Sequence, residues 1–258
     1  MKIIKYKKIR NKYRVYFDND KTVDLYEKII INNELLLKKE ITEADLKKIM
    51  DDNYKESIFD TSIHYIEIKM RSKEEVISYL MKKGYEKIDI DNTISKLEKL
   101  NILNDSLYVK SFIIDKINLS NDGPNKIKNS LLNKNIKEDI IDKYMNEIDN
   151  SIIFNKLDKL IDKKIKVTKN VSGNPLKYKL LTYFINQGYN KEMIEEILNK
   201  KNLKNDNGYK EYVKLYNKYS KKYEGYELEN IIRQKLYLKG YDLSEIKKNI
   251  DWYSFSFL

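Results

Sequence analysis

The stretch from Arg71 to Asp105 has the clearest pattern of apolar and polar positions in the chain. Ser72 and Glu75 form an S-x-x-E capping box, which satisfies free amide groups at the start of a helix. Apolar residues then follow at helical spacing, and Gly84 supplies the left-handed residue that ends this helix. A second amphipathic helix comes next. The pattern predicts a unit of short amphipathic helices that must pack against neighbours to bury their apolar faces.

The same pattern occurs four times along the chain. In each copy a residue suited to the left-handed conformation follows apolar residues four and eight positions before it, and these four residues are Gly84, Asn135, Gly188 and Gly240. Their spacings are 51, 53 and 52 residues. Pro124 and Pro175 lie at the first turn of the same helix in the second and third copies. A fixed period with matching helix ends predicts a helical repeat array.

The first 26 residues alternate in a way that favours strands over helices. Three antiparallel strands are predicted at 3–9, 13–17 and 22–26, with a turn at 18–21. Helices are predicted at 25–37, 41–50 and, as the start of the first repeat, 53–68. Asn104-Asp105 and Asn205-Asp206 are each predicted to open the first helix of a repeat.

The predicted fold is therefore mainly α. Tandem three-helix repeats with a period of about 52 residues form an elongated curved array, preceded by a small antiparallel β region. The predicted divisions are 1–51 for the N-terminal strand and helix region, 52–103 for repeat 1, 104–148 for repeat 2, 149–203 for repeat 3, and 204–258 for repeat 4 with an aromatic C-terminal tail. We expect the tail, 251–258, to cover the open end of repeat 4; the alternative is a partner-binding segment.

Composition adds a strong positive charge to this picture. The formal net charge is +11, and 35% of the residues are charged. Such a chain is attracted to polyanions or to an acidic protein surface, although codon bias in an AT-rich genome is a second explanation for the lysines. Because hydrophobic residues reach 41%, the chain is expected to be globular and not a disordered basic tail.

Several classes of catalytic and metal site are excluded by the residue types. There is no cysteine, so disulfides, thiolate nucleophiles and cysteine metal sites are impossible. The nearest glycines are 15 residues apart, which rules out both common glycine-rich phosphate loops. His64 is the single histidine, and we interpret it as a packing or surface residue. We expect a protein that is not an enzyme and that has no cofactor and no metal.

No membrane association is expected. No apolar run approaches the roughly 18 residues that a transmembrane helix requires. The first ten residues, MKIIKYKKIR, lack the apolar core of a signal peptide. The sequence therefore predicts a cytoplasmic protein, and we expect a monomer.

The second helix of each repeat carries basic residues outside its apolar stripe, interleaved with tyrosines such as Tyr79, Tyr178, Tyr183 and Tyr237. Such a surface suits a phosphate backbone or an acidic protein groove. A solvated lysine face that only keeps the chain soluble is the alternative. The candidate binding residues on and beside these helices are Arg71, Lys82, Lys83, Lys126, Lys128, Lys134, Lys177, Lys179, Arg233, Lys235 and Lys239.

Three segments together resemble the RecX family of recombination regulators. They are R-S-x-x-E-V-x-x-Y-L-x-x-K-G-Y from Arg71, L-x-x-L-x-I-L-N-D from Leu97, and G-P-x-x-I from Gly123. The resemblance covers essentially the whole chain. The layout of four repeats after a strand region resembles that of the longer members of the family. Three residues depart from the family pattern, namely Asn135 in place of glycine and the bulky Tyr108 and Phe112.

The resemblance implies a protein that binds the RecA recombinase filament on DNA. Family members lie along the filament groove and modulate it, usually by inhibiting extension, ATP hydrolysis, strand exchange and co-protease activity. The resemblance then implies that the basic residues contribute to contacts with RecA, with single- or double-stranded DNA as a further partner. Two alternatives stay open, namely a sequence-independent single-stranded nucleic-acid-binding protein that acts without a recombinase and a helical scaffold for another acidic partner. The sequence leaves the direction of regulation open.

Overall fold

A computed structural model describes residues 1–248. The chain divides into two compact units. Unit 1 comprises Met1–Val109 and Lys134–Ile136, and unit 2 comprises Lys110–Asn133 and Lys137–Leu258. Residues 249–258, which include the predicted aromatic tail 251–258, lie outside the described residues.

The N-terminal sheet has the three antiparallel strands that the sequence predicts. Its order is β1-β2-β3, formed by Ile3–Ile9, Lys12–Phe17 and Thr22–Tyr26. Alternating residues of β2 point to opposite faces, so Val15 and Phe17 are buried in the core of this region. Asp20 adopts a φ of 60° in the predicted turn.

The helices that follow differ from the prediction. The expected helix 25–37 is only Glu27–Asn32 (α1), because the chain turns at Asn33 and Glu34 takes a positive φ of 54°. The expected helices 41–50 and 53–68 are one 26-residue helix, Glu43–Ile68 (α2). It begins with a capping box of Thr42 and Asp45. The predicted division between residues 51 and 52 therefore falls inside α2.

Buried Asn53 explains why α2 resembles two helices in sequence. Its side-chain oxygen accepts a hydrogen bond from the Tyr26 amide at 2.9 Å, and its side-chain nitrogen donates to the Asp24 carbonyl at 3.1 Å. The polar run at 51–53 thus includes a residue that fastens α2 to β3, a long-range role that local sequence does not reveal.

The remaining described residues form helices connected by short turns, so the protein is mainly helical. Their bounds are Lys73–Lys82 (α3), Lys87–Lys99 (α4), Asp105–Leu119 (α5), Pro124–Leu132 (α6), Glu138–Asn146 (α7), Asn150–Val167 (α8), Gly173–Asn186 (α9), Lys191–Asn199 (α10), Gly208–Tyr219 (α11) and Gly225–Leu238 (α12), followed by helical residues 243–248. Helices α3, α6, α9 and α12 are the second helices of the four repeats.

The helix ends confirm most of the local predictions. Ser72 and Glu75 form the capping box of α3, and Asn104 accepts a hydrogen bond from the Leu107 amide at 3.1 Å. The four predicted left-handed residues all have positive φ, with values of 87° (Gly84), 55° (Asn135), 89° (Gly188) and 80° (Gly240).

The predicted start of α11 is wrong. This helix begins at Gly208 and not at Asn205-Asp206. Asn205 instead joins separate segments, because its side-chain nitrogen donates to the Val171 carbonyl at 2.8 Å and its oxygen accepts from the Tyr241 hydroxyl at 2.8 Å.

Backbone hydrogen bonds connect successive repeats in unit 2. The Gly123 amide donates to the Gln187 carbonyl at 2.7 Å, and the Ser172 amide donates to the Lys239 carbonyl at 2.8 Å. Each bond links the start of a second helix to the turn that ends the next repeat's second helix. The left-handed glycine therefore lies directly against the preceding repeat.

Candidate partner-binding surfaces

In unit 1, two of the candidate cations belong to a stack with two tyrosines. The rings of Tyr65 and Tyr79 stack with centroids 3.9 Å apart and planes 7° apart. The guanidinium carbon of Arg71 lies 4.2 Å from the Tyr65 centroid, and the Lys83 ammonium lies 5.6 Å from the Tyr79 centroid. Because one face of Tyr65 is covered by Tyr79, the guanidinium must occupy the other face. Cation–π attraction stabilises this arrangement.

The stack gives Arg71 and Lys83 a structural role in addition to any binding role. The Nε atom of Arg71 is buried and has no hydrogen-bond partner among the described residues. Lys82, one position before Lys83, is exposed and forms no ion pair or hydrogen bond with residues 1–248. In unit 1 Lys82 is therefore available to an outside anion.

Lys134 is committed to an internal ion pair. Its ammonium lies 2.8 Å from a carboxylate oxygen of Glu75, and both side chains are about three-quarters buried. Burial alone would raise the pKa of Glu75, but the hydrogen bonds from Lys134 and from the Ser72 amide outweigh it and lower that pKa. Lys134 thus has a structural contact within unit 1 that neutralises its charge.

In unit 2, Lys126 and Lys128 also have acidic partners. Lys126 pairs with Asp122 at 2.8 Å and donates to the Gln187 side-chain oxygen at 3.2 Å. The hydrogen bond from Lys126 holds the pKa of Asp122 below its usual range. Lys128 bridges Glu138 at 2.7 Å and Asp142 at 2.6 Å. These pairs reduce the positive charge that α6 presents.

Lys239 lies against the buried Glu211. Its ammonium is 2.6 Å from a Glu211 oxygen, and Lys214 holds the other oxygen at 2.8 Å. Burial would raise the pKa of Glu211, but the hydrogen bonds from the two lysines lower it. Because Glu211 is only 3% exposed, Lys239 neutralises a buried charge.

The other candidates in unit 2 are Lys177, Lys179, Arg233 and Lys235. Lys177 donates to the Asn199 side-chain oxygen at 2.6 Å, and Arg233 pairs with Glu229 at 3.2 Å. Lys179 and Lys235 are exposed and have no ion pair or hydrogen bond within the described part of the chain. Tyr178, next to Lys179 in sequence, and Tyr237, two residues after Lys235, are also exposed.

The geometry thus separates the eleven candidate cations into two groups. Structural contacts hold Arg71, Lys83, Lys126, Lys128, Lys134, Lys177, Arg233 and Lys239. The exposed cations without an internal partner among residues 1–248 are Lys82, Lys179 and Lys235, one on α3, one on α9 and one on α12.

Comparison with known proteins then identifies the family. A family model described as "RecX, first three-helix domain" matches residues 59–97. A regulatory protein RecX of Lactococcus lactis subsp. cremoris (strain MG1363) is 30% identical over 271 residues, which cover 98% of this chain and 98% of the relative. The chain belongs to the RecX family of regulatory proteins. A regulatory protein RecX of Streptococcus agalactiae serotype III (strain NEM316) is 32% identical, over 98% of this chain and 100% of the relative.

Solved RecX structures share the fold. A crystal structure of regulatory protein RecX aligns with a TM-score of 0.65 at 21% identity, covering 77% of this chain and 98% of that chain. RecX from Lactobacillus salivarius aligns with a TM-score of 0.54 at 22% identity, covering 57% of this chain and 95% of that chain. The resemblance read from the helix caps and core positions is thereby confirmed.

The residues that depart from the RecX pattern have clear structural places. Tyr108 is buried, and the Lys134 ammonium lies 5.8 Å from its ring centroid. Lys116 lies 5.7 Å from the Phe112 centroid. Asn135 adopts the left-handed conformation expected of glycine, with a φ of 55°. The bulky rings therefore pack beneath lysines, and the asparagine keeps the backbone of the repeat.

Two further observations concern chemistry and membranes. His64 is exposed, and its Nδ1 lies 2.9 Å from the Asp60 carbonyl oxygen one turn earlier on α2. Within residues 1–248, no three histidine, aspartate or glutamate side chains are placed to hold a metal ion. No helix in this part of the chain has the length and apolar character to cross a membrane.

The first helix of repeat 4 carries a row of tyrosines that the predicted pattern of second-helix cations does not include. Tyr209, Tyr212, Tyr216 and Tyr219 follow one another along α11 at alternating spacings of three and four residues. That spacing places side chains on one side of a helix and was visible in the sequence. The candidate cations lie on and beside second helices, whereas α11 is a first helix.

Proposed function

We propose that this protein regulates homologous recombination by binding the RecA filament assembled on DNA. Its near full-length similarity to regulatory proteins named RecX carries this proposal. The protein is proposed to act in the cytoplasm as a monomer without catalysis of its own. It binds in the filament groove and inhibits extension, ATP hydrolysis, strand exchange and co-protease activity.

The exposed cations supply an electrostatic basis for this binding. Lys82, Lys179 and Lys235 recur on second helices and are not neutralised by acidic side chains among the described residues. Cations of this kind attract an acidic protein groove or a phosphate backbone. Binding acts by population shift, because a ligand with higher affinity for one filament state favours that state.

RecA ATPase on single-stranded DNA tests the proposal. We expect strong inhibition at far less than one copy of this protein per RecA protomer, because one bound regulator blocks the extension of many protomers. Inhibition that needs nearly saturated DNA, and that extra DNA relieves, would instead support a plain DNA-binding protein. If ATP hydrolysis is unchanged at every ratio, both filament regulation and plain DNA binding are contradicted. A helical scaffold for another acidic partner is then the alternative that is left.

A charge-reversal variant tests the three cations. Lys82→Glu/Lys179→Glu/Lys235→Glu is expected to weaken inhibition at least tenfold while the circular dichroism spectrum stays unchanged. The matched control is Lys47→Glu/Lys110→Glu/Lys159→Glu, which changes the net charge equally at exposed positions on first helices and α2. Equal effects of the two variants would show that only net charge matters.

A further inference from the structure

The first strand of the N-terminal sheet has a free edge. In the order β1-β2-β3, β1 is an outer strand, so one of its sides is not paired with β2. Residues 39–41 pair with the very start of that side. The Ile3 amide donates to the Lys39 carbonyl at 3.1 Å, and the Ile41 amide donates to the Met1 carbonyl at 3.0 Å. Residues 4–9 form no backbone hydrogen bond outside the sheet with any of residues 1–248. The space beside them therefore continues the position of a strand that stops at Lys39.

The turn between β1 and β2 determines which backbone groups face this edge. Ile9 and its partner on β2 flank a two-residue turn, so they form a hydrogen-bonded pair. Such pairs alternate along an antiparallel strand, so Lys7 and Lys5 also bond to β2. The N–H and C=O groups of Tyr6 and Lys8 then point to the free edge. They offer the donors and acceptors that an added strand requires.

Lysines give the edge a positive charge. Lys5, Lys7 and Lys8 are exposed, and none of them forms an ion pair within the described part of the chain. Lys5 and Lys7 lie on the sheet face opposite the core, because Tyr6 between them packs against the core. Lysines on an outer strand disfavour pairing with β1 of a second copy, since like charges would lie opposite each other. The same lysines attract an acidic strand.

Exposed apolar side chains accompany the free edge. Ile4 on β1 is 65% exposed. The Tyr6 hydroxyl donates to the Leu35 carbonyl at 2.8 Å, which holds the segment after α1 beside β1. Leu36 and Leu37, the next two residues, are 68% and 80% exposed. Apolar side chains that are exposed together are typical of an interaction surface. A strand beside residues 4–9 would thus meet both lysines and apolar side chains.

We propose that the free edge of β1 binds an extended acidic peptide of a protein partner as an additional strand. The peptide backbone pairs with the outward groups of Tyr6 and Lys8, and acidic side chains of the peptide lie opposite Lys5 and Lys7. In strand addition, main-chain hydrogen bonds give affinity and side chains give specificity. A nucleic-acid strand fits this edge less well, because phosphates only accept hydrogen bonds and leave the outward carbonyl groups without donors. This inference does not depend on filament regulation.

Fluorescence anisotropy tests the edge with a labelled peptide that alternates glutamate and valine over about seven residues, within the usual length of a strand. Lys8→Pro removes an outward N–H, and proline is tolerated at such positions on outer strands. We expect it to lower peptide affinity at least tenfold. The matched control Lys8→Ala keeps the N–H and should stay within threefold of the unchanged chain. Equal affinities of the two variants overturn the proposal, and circular dichroism checks that the fold is kept.

Methylated peptides give a second test that leaves the protein unchanged. An added strand turns only every second amide towards β1. N-methylation of one alternate set of peptide amides should therefore lower the affinity at least tenfold, whereas methylation of the other set should change it less than threefold. Equal effects of the two methylated peptides overturn strand addition.

The charge of the edge is tested separately. Lys5→Gln/Lys7→Gln is expected to lower peptide affinity at least fivefold. The matched control Lys47→Gln/Lys99→Gln, which removes two exposed lysines elsewhere in unit 1, should lower it less than twofold. Equal losses would show that only net charge matters and would overturn the proposed site.

Amide hydrogen exchange locates the bound peptide. Exchange at Tyr6 and Lys8 should become at least tenfold slower when the peptide is added, whereas exchange at Lys7 should not change. If the peptide does not bind and the Lys5→Gln/Lys7→Gln variant instead loses affinity for labelled (dT)20, the proposal is overturned and the edge is assigned to nucleic acid. Self-association that Lys8→Pro abolishes also overturns it and assigns the edge to a second copy. No recombinase is present in these experiments, so this proposal and filament regulation fail separately.

Discussion

The repeats are connected in two different ways. In unit 1, a pair of charged side chains, Glu75 and Lys134, links the start of α3 to the turn at Asn135. In unit 2, backbone hydrogen bonds from Gly123 to Gln187 and from Ser172 to Lys239 make the equivalent connections. The same position in the repeat is thus occupied by a salt bridge in one unit and by close backbone contact in the other.

The left-handed residues that end the second helices differ in how much space surrounds them. A Cβ added at Gly188 would overlap the backbone of Lys126, and one added at Gly240 would overlap the Ser172 carbonyl. A Cβ at Gly84 would have no neighbour within 4 Å. Asn135 carries a side chain at this position already. Glycine is therefore needed at 84 only for its backbone angles, and at 188 and 240 for space as well.

Replacing the left-handed glycines by alanine should cause the largest losses of stability, and these losses should differ between the two units. Gly188→Ala and Gly240→Ala combine a left-handed alanine, at about 1–2 kcal/mol, with overlap that costs about 1–3 kcal/mol more. Gly84→Ala carries the first cost alone. Urea unfolding followed by circular dichroism measures the difference. Equal losses for all three variants would contradict a contact role for Gly188 and Gly240.

Removing the lysine at each junction should cause smaller losses of stability than the glycine substitutions, and the loss should be greater in unit 1 than in unit 2. Lys134→Met leaves Glu75, whose side chain is about three-quarters buried, without its partner, so we expect a loss of about 1–2 kcal/mol. Lys126→Met removes a more exposed lysine, and the backbone bonds of Gly123 remain, so its loss should be about 0.5 kcal/mol or less. The free energy of unfolding of both variants tests this order, and a larger loss for Lys126→Met would reverse it.

Local features were predictable from the sequence, and long-range ones were not. The capping box at Ser72 and the left-handed residue at Asn135 depend on a few neighbouring residues, and both are confirmed. The continuity of α2 depends on Asn53, whose side chain bonds the backbone of Tyr26 27 residues earlier. No pattern within one helix reveals such a partner.

The candidate cations show the same limit. Lys134 and Glu75 are 59 positions apart, and Lys239 and Glu211 are 28 apart. The sequence locates basic residues outside the apolar stripe, but their neutralisation depends on which other helix packs beside them. Lys82, Lys179 and Lys235 could therefore be told from the other candidates only with the fold in hand.

Acid should weaken the junction of unit 1 through Glu75. The folded pKa of Glu75 is lowered from its usual value of 4.5, so its stabilisation is complete above that value and is lost as the pH falls through the folded pKa. Glu75→Gln keeps an S-x-x-Q capping box but loses the ion pair, at about 1 kcal/mol near pH 7. Unfolding of both proteins between pH 7 and pH 3 should show this difference shrinking as the pH falls below 4.5. A difference that stays constant would mean that the carboxylate charge is not involved.

Asn135→Gly should have the smallest effect and gives the sharpest test of how loosely this turn is packed. Glycine relieves the left-handed strain of Asn135 but adds flexibility to the unfolded chain, and these effects oppose each other at about 1 kcal/mol each. The Lys134–Glu75 pair does not involve the Asn135 side chain, so it should remain. We expect a net change of about 0.5 kcal/mol or less in urea unfolding. A loss above about 1 kcal/mol would show that the asparagine side chain itself stabilises this junction. The left-handed residues of the two units would then differ in the side-chain contacts they make, and not only in how closely the backbone packs around them.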